Sequence, residues 1–136
     1  MKVILCLDDR GGMMFNHRRQ SRDREVIGNI LDMVGDGVLW MAPYSKMLFS
    51  EPGDSLRVEE DFLSLAEETD WCFVEDRALL PYEDRIEEMV LYRWNRRYPY
   101  DMRLDMEPLS HGFSLLDTVE FAGFSHEKIT KEIYRK

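Results

Sequence analysis

The twelve residues Ser125–Lys136, SHEKITKEIYRK, decide how the rest of the chain can be arranged. Ile129 and Ile133 stand four apart, and Glu127–Lys131 and Glu132–Lys136 have the spacing that pairs opposite charges along a helix. Read with a period of two, the same segment puts Ile129, Lys131 and Ile133 on one face of a strand. The residues leave both readings open, with local propensity leaning slightly towards helix. The choice is architectural. An extended tail lies inside a sheet and leaves the arginine-rich opening loop beside a cleft, whereas a helical tail stands free of both.

Outward from this tail, Thr118–Phe121 is apolar enough for a strand, and Met102–Met106 and Met89–Arg96 alternate as strands do, with a turn at Pro99 and Asp101. At the other end, Val3–Leu7 is a buried strand closed by Asp8-Asp9 and Gly11-Gly12. Ser21 is an expected N-cap, with Asp23 and Glu25 in a first turn where the helix dipole favours acids. Val26, Ile27, Ile30, Leu31 and Val34 form the apolar stripe of that helix, which Gly35 and Gly37 stop. Gly37–Met41 and Trp71–Val74 are further buried strands. Pro43–Phe49 is a short helix or turn. Residues 50–60 form a polar loop with room for a strand at Leu56–Val58. A helix capped by Asp61 carries Phe62, Leu63, Leu65 and Ala66, and another runs over Leu79–Ile86, with Pro81 in its first turn. Strands alternating with helices predict an α/β fold, a mixed and mostly parallel sheet flanked by helices, in one domain over residues 1–136.

The composition fits that expectation. With 136 residues, 44% hydrophobic and 12% aromatic, the chain can bury one core. Apolar runs are too short to cross a bilayer, and the five apolar residues Val3–Leu7 are too few for an export signal. Cys6 and Cys72 sit within the apolar stretches VILCL and WCFV, as buried free thiols do. These features predict a cytoplasmic protein of the bacterial type with no membrane partner. The net charge of −9 opposes a general nucleic-acid binder. Between Arg10 and Arg24, however, five arginines face one acid, Asp23. A local basic patch on an acidic body suits a small anion better than a long polyanion.

Arg18, Arg19 and Arg22 precede the expected helix start, where guanidinium groups and free N–H groups both favour phosphate or carboxylate. As a solvated loop, the same arginines would pair with acids elsewhere on the surface. Asn16 and Tyr44 complete the expected ligand-binding set near this loop. Trp40, Met41 and Met47 read as core, with the alternative of lining a flat-ligand pocket. Asp23 is the candidate catalytic acid; its alternative role is that of a first-turn acid interacting with the helix dipole and with Arg19 or Arg22. His126, beside Glu127, is a candidate acid–base and ligand-binding group; its plainer reading is a surface histidine. Tyr92, Trp94, Tyr98 and Tyr100 interleave with Arg93, Arg96 and Arg97. That pattern can stack nucleic-acid bases, but strand alternation turns Tyr92 and Trp94 towards the core.

Across MKVILCLDD, WCFVEDRALLPY, VLYRWNRRYPYDMRLDM and VEFAGFSHEKITKEIYRK, the order of elements is similar to that of the dihydrofolate reductase family. The resemblance implies that Gly11–Gln20 is the glycine-containing loop, Ser21–Val34 the helix that carries the pterin-contacting acid near Asp23, and Val38–Met41 the second strand. Two departures bear on the cofactor. The family's Gly-Arg-x-Thr phosphate turn reads Met41-Ala42-Pro43-Tyr44-Ser45 here. Its Gly-Gly turn, which lets the pyrophosphate approach the backbone, reads Glu75-Asp76. The segment reaching adenosine, between residues 50 and 61, is short. These departures argue against NADPH and imply a degenerate dinucleotide site. The chain also resembles a family of short bacterial proteins, some labelled ribonuclease Z. Such nucleases hold two metals through His-x-His-x-Asp-His and further histidines. His17, His111 and His126 lie far apart in this sequence, so no metal is expected.

Function is therefore expected to be the binding of a small anionic ligand, a nucleotide, pterin-like molecule or phosphorylated metabolite, beside the arginine-rich loop. Whether the protein is an enzyme stays open. The alternatives are a non-enzymatic protein meeting RNA or an acidic partner through the basic loop, and a divergent reductase.

Overall fold

The computed structural model describes residues 1–49 and 55–136. The tail is extended. Strand β10 (Ile129–Arg135) lies between β7 (Glu88–Arg93) and β9 (Ser114–Phe121), antiparallel to both. The main sheet has seven strands in the order β5-β4-β6-β1-β7-β10-β9, with β1 Lys2–Leu7, β4 Leu39–Met41, β5 Leu56–Val58 and β6 Trp71–Phe73. The pairs β1–β6, β1–β7, β4–β5 and β4–β6 are all parallel. Only β10 therefore runs against the rest, so the sheet is mixed and mostly parallel, as expected.

The helical ion pairs expected in the tail give way to cross-strand ones. Glu132 accepts from Arg93 Nε at 2.8 Å, and the Lys131 ammonium lies over the Tyr92 ring.

Side-chain alternation divides the core between the two faces of the sheet. Helix α1 (Arg24–Val34) presses Val26, Ile30 and Val34 onto Ile4, Leu39, Met41, Phe73, Val90 and Tyr92. Val3, Leu5, Leu7, Cys72 and Leu91 point the other way, into a second layer with Phe62, Leu63, Met106 and Phe113. Tyr92 and Trp94 are both buried on the α1 side, where alternation placed them.

Several expected helices are tighter or shorter. Pro43–Leu48 and Leu80–Arg85 are 3₁₀ turns, and α2 (Phe62–Leu65) is a single turn that Asp61 does not cap with its side chain. Residues 50–54, part of the segment that the resemblance assigns to adenosine, lie outside the described residues. Cys6 and Cys72 are both free thiols. Burial pushes the Cys72 thiol up to about 12, so it is inert at neutral pH. Among the described residues no helix is long and apolar enough to cross a membrane.

The arginine-rich loop is itself ordered. Strands β2 (Gly12–Phe15) and β3 (Arg18–Arg19) form a hairpin, and β8 (Met102–Arg103) pairs with β2 to give a small second sheet. Asn16 and His17 form its two-residue turn, both with positive φ, 52° and 61°. That is the backbone of the turn type that matches strand twist, and Asn tolerates it well.

Candidate functional site

Asp23, not Ser21, caps α1. Its Oδ1 accepts the Glu25 N–H at 2.9 Å, and the helix accordingly starts at Arg24 instead of Ser21. Asp23 does far more than cap. Oδ1 also accepts the Phe124 N–H at 2.9 Å. Oδ2 accepts the Ser125 N–H at 2.9 Å, the Ser125 hydroxyl at 3.2 Å and the His126 Nδ1–H at 2.9 Å. The residue is only 3% exposed. Burial by itself raises its pKa, but the bonds from Phe124, His126, Ser125 and Glu25 outweigh that and hold the carboxyl well below the usual carboxylate range.

Asp23 thus fastens the turn between β9 and β10 to the start of α1. Gly123 makes the approach possible: a Cβ there would lie 2.6 Å from Asp23 Oδ2 and 2.8 Å from the His126 carbonyl.

His126 is 4% exposed and stacks on Trp94, with ring centroids 4.6 Å apart. In the neutral ring with Nδ1–H donated to Asp23, Nε2 is the acceptor nitrogen. Two hydroxyls reach Nε2, Ser21 Oγ at 3.1 Å and Tyr98 Oη at 3.0 Å, and these two oxygens lie 3.5 Å apart. Asp8, fully buried, holds the loop that carries Tyr98. It accepts the N–H groups of Arg10 (2.9 Å), Gly12 (2.7 Å) and Tyr98 (3.1 Å).

A cleft of about 360 Å³ opens beside this cluster, lined by Arg22, Asp23, Arg24, Ile27, Met47, Leu48, Phe124 and Ser125. Its wall is largely apolar, and the Arg24 guanidinium lies 3.6 Å over the Phe124 ring. Neither Arg22 nor Arg24 has a carboxylate partner among the described residues. Of the expected site residues, Arg22 and Asp23 meet here, and His126 joins them through Asp23.

The others are dispersed. Arg18 and Asn16 line a separate hollow with Phe15, Gln20 and Tyr98. Tyr44 borders a third with His17, Asp76 and Asp101. Trp40 packs on the sheet face opposite α1, its Nε1–H donated to Asp70 Oδ2 at 2.9 Å. Arg24, Ile27, Leu48, Phe124 and Ser125 were not among the expected site residues. Ile27 showed only as part of the apolar stripe of α1, and Leu48 and Phe124-Ser125 carried no signal.

Arg19 is engaged within the chain. Its Nε and Nη2 grip Glu75 at 2.8 and 3.0 Å, Ser45 Oγ donates to the same carboxylate at 2.7 Å, and the guanidinium covers the Tyr44 ring at 4.3 Å. Glu75 follows β6, where the resemblance puts a Gly-Gly turn beside a pyrophosphate. A carboxylate held there repels a phosphate and already occupies the local cation and hydroxyl. These residues do not fit a dinucleotide pyrophosphate. Among the described residues no group of His, Cys, Asp and Glu is placed to hold a metal ion.

No protein-family model matches the chain, and no curated protein sequence matches it. A dihydrofolate reductase from Enterococcus faecalis, solved as its complex with NADP(H) and RAB-propyl, is similar in structure. The TM-score is 0.68 at 10% identity, over 98% of this chain and 94% of that one. An antiparallel β10 inside a mostly parallel sheet, α1 across one face and this match in shape lead to one conclusion: the chain has the dihydrofolate reductase fold.

Proposed function

We propose that this is a cytoplasmic protein that binds a small anionic molecule with a flat apolar body in the cleft between α1, the 3₁₀ turn Pro43–Leu48 and the turn at Phe124–Ser125. The observation that carries this reading is the division of polarity in the cleft. Its carboxylate, Asp23, is saturated by five donors of its own chain, so the polar groups left for a ligand are the guanidinium groups of Arg22 and Arg24. Ile27, Leu48 and Phe124 supply apolar contact for the rest of the molecule. A guanidinium fork recognises carboxylate and phosphate alike, which keeps phosphorylated metabolites, nucleotides and pterin-like acids in the same class. The Arg19–Glu75 pair disfavours the divergent-reductase alternative, because it fills the place of a pyrophosphate.

A thermal-shift screen of the full chain against nucleotides, folates, flavins and phosphorylated metabolites tests the reading. A binder at a hundredfold excess over its Kd is expected to add about 2.7 kcal/mol of stability. Replacing Arg22 and Arg24 together by Ala should remove the shift while the fold persists. Stabilisation by RNA or an acidic protein alone, or a shift untouched by the double replacement, would overturn it.

A further inference from the structure

The groups that fasten the β9–β10 turn are also arranged as a reactive array. We propose that Ser21, His126 and Asp23 form a nucleophile, base and positioning carboxylate that hydrolyse small esters, between the cleft that Asp23 lines and the hollow that Tyr98 lines. The geometry supports each role. Asp23 Oδ2 lies 2.9 Å from His126 Nδ1, which fixes the tautomer and ring orientation, and His126 Nε2 lies 3.1 Å from Ser21 Oγ. This is the relation in which an imidazole removes a hydroxyl proton and a buried carboxylate stabilises the resulting imidazolium. Trp94 stacks on the ring and holds its plane. Ser21 is only partly covered, whereas the imidazole of His126 is buried.

Tyr98 completes the arrangement. Its hydroxyl is 3.0 Å from Nε2 and 3.5 Å from Ser21 Oγ. With the one lone pair of Nε2 taken by the Ser21 hydroxyl, the Tyr98 O–H is directed at Ser21 Oγ, beside the oxyanion that develops there.

The step balances without a co-reactant beyond water. A bond forms between Ser21 Oγ and the acyl carbon while the Oγ proton passes to Nε2. The ester C–O bond breaks, and the departing alcohol takes that proton. Water then adds to the acyl-serine, again giving its proton to Nε2, which returns it to Oγ as the free acid leaves. Arg22 and Arg24 suit an ester whose acid or alcohol part carries a negative charge, and that preference alone rests on the ligand reading above.

The test uses the full chain with two neutral probes, diisopropyl fluorophosphate and p-nitrophenyl acetate. Neither needs the arginines, so its failure is separable from failure of the anion cleft. Intact mass and peptide mapping should show a single phosphoryl adduct on Ser21, lost in Ser21→Ala. His126→Asn should slow labelling by about 10²-fold or more, and Tyr98→Phe should slow acetate hydrolysis on the order of 10²-fold. Where His126→Asn does not fold, the adduct map of the unaltered chain decides. No adduct, an adduct on another residue, or labelling indifferent to His126 overturns the array. Unchanged hydrolysis in Tyr98→Phe overturns the oxyanion role.

Discussion

A buried carboxylate with five donors is a commitment that a single atom change exposes. Asp23→Asn puts an amide N–H₂ where donors already converge, so at least one buried donor loses its acceptor. The expected loss is about 3–5 kcal/mol at neutral pH. The pH dependence follows from the direction of the shift. Asp23 is held below its ordinary range in the folded chain, so the unfolded chain binds its proton first as pH falls. Its contribution is complete above about pH 4, the unfolded carboxyl value, and is lost progressively below that. Urea unfolding at pH 6 and pH 3 should show a marked fall for the unaltered chain and a smaller one for Asp23→Asn. At this scale the sequence was partly informative. The sequence placed Asp23 in the first turn behind a Ser21 cap, one short step from its actual place as the cap, but Phe124, Ser125 and His126, about a hundred residues on, gave no sign of converging on it. Arg19 shows the same limit from the other side: the pairing with acids expected of a solvated arginine exists, but nothing local named Glu75.

Turns and strands have their own logic. His17 sits at φ 61° in the two-residue turn of the β2–β3 hairpin, a backbone that costs a side-chain-bearing residue about 1–2 kcal/mol. His17→Gly makes the turn Asn-Gly, the pair this geometry prefers. It is expected to raise stability by about 0.5–1 kcal/mol in equilibrium unfolding, after the extra freedom of glycine in the unfolded chain is subtracted. The hairpin was hard to foresee because Arg18-Arg19 is charged and only two residues long. The tail was hard for another reason. Residues four apart share a face with a period of 3.6 and equally with a period of two, so Ile129 and Ile133 satisfied helix and strand alike. What settles it is tertiary: β10 pairs with a strand on each side, and the neighbours Ile133 and Tyr134 pack on opposite faces of the sheet, an alternation of period two. The first strand was plain from the sequence, because five apolar residues ended by two aspartates leave little else to be.

Across the whole molecule, one sheet carries apolar side chains on both faces, and β10 bridges its parallel portion to the outer strand β9. We predict that the chain unfolds as a single cooperative unit, the behaviour of one domain. Trp40 reports on one face, and Trp71 and Trp94 on the other. Tryptophan fluorescence and far-UV circular dichroism should therefore give coincident denaturant transitions, whereas two separated transitions would indicate independent units. Charge reads differently at this scale than it did along the chain. The five arginines of residues 10–24 do not gather into one patch: Arg10 lies on Tyr100, Arg19 on Glu75 and Arg24 on Phe124. Only Arg22 and Arg24 reach the cleft together.

The fastening of residues 124–126 onto Asp23 also bears on the order in which the molecule is made. It closes a loop of just over one hundred residues, a contact of high sequence separation that is entropically costly until neighbouring pairings have shortened the path. We predict that the turn docks on Asp23 only after β10 has paired with β7 and β9, so that until then the cleft lacks its Phe124–Ser125 wall.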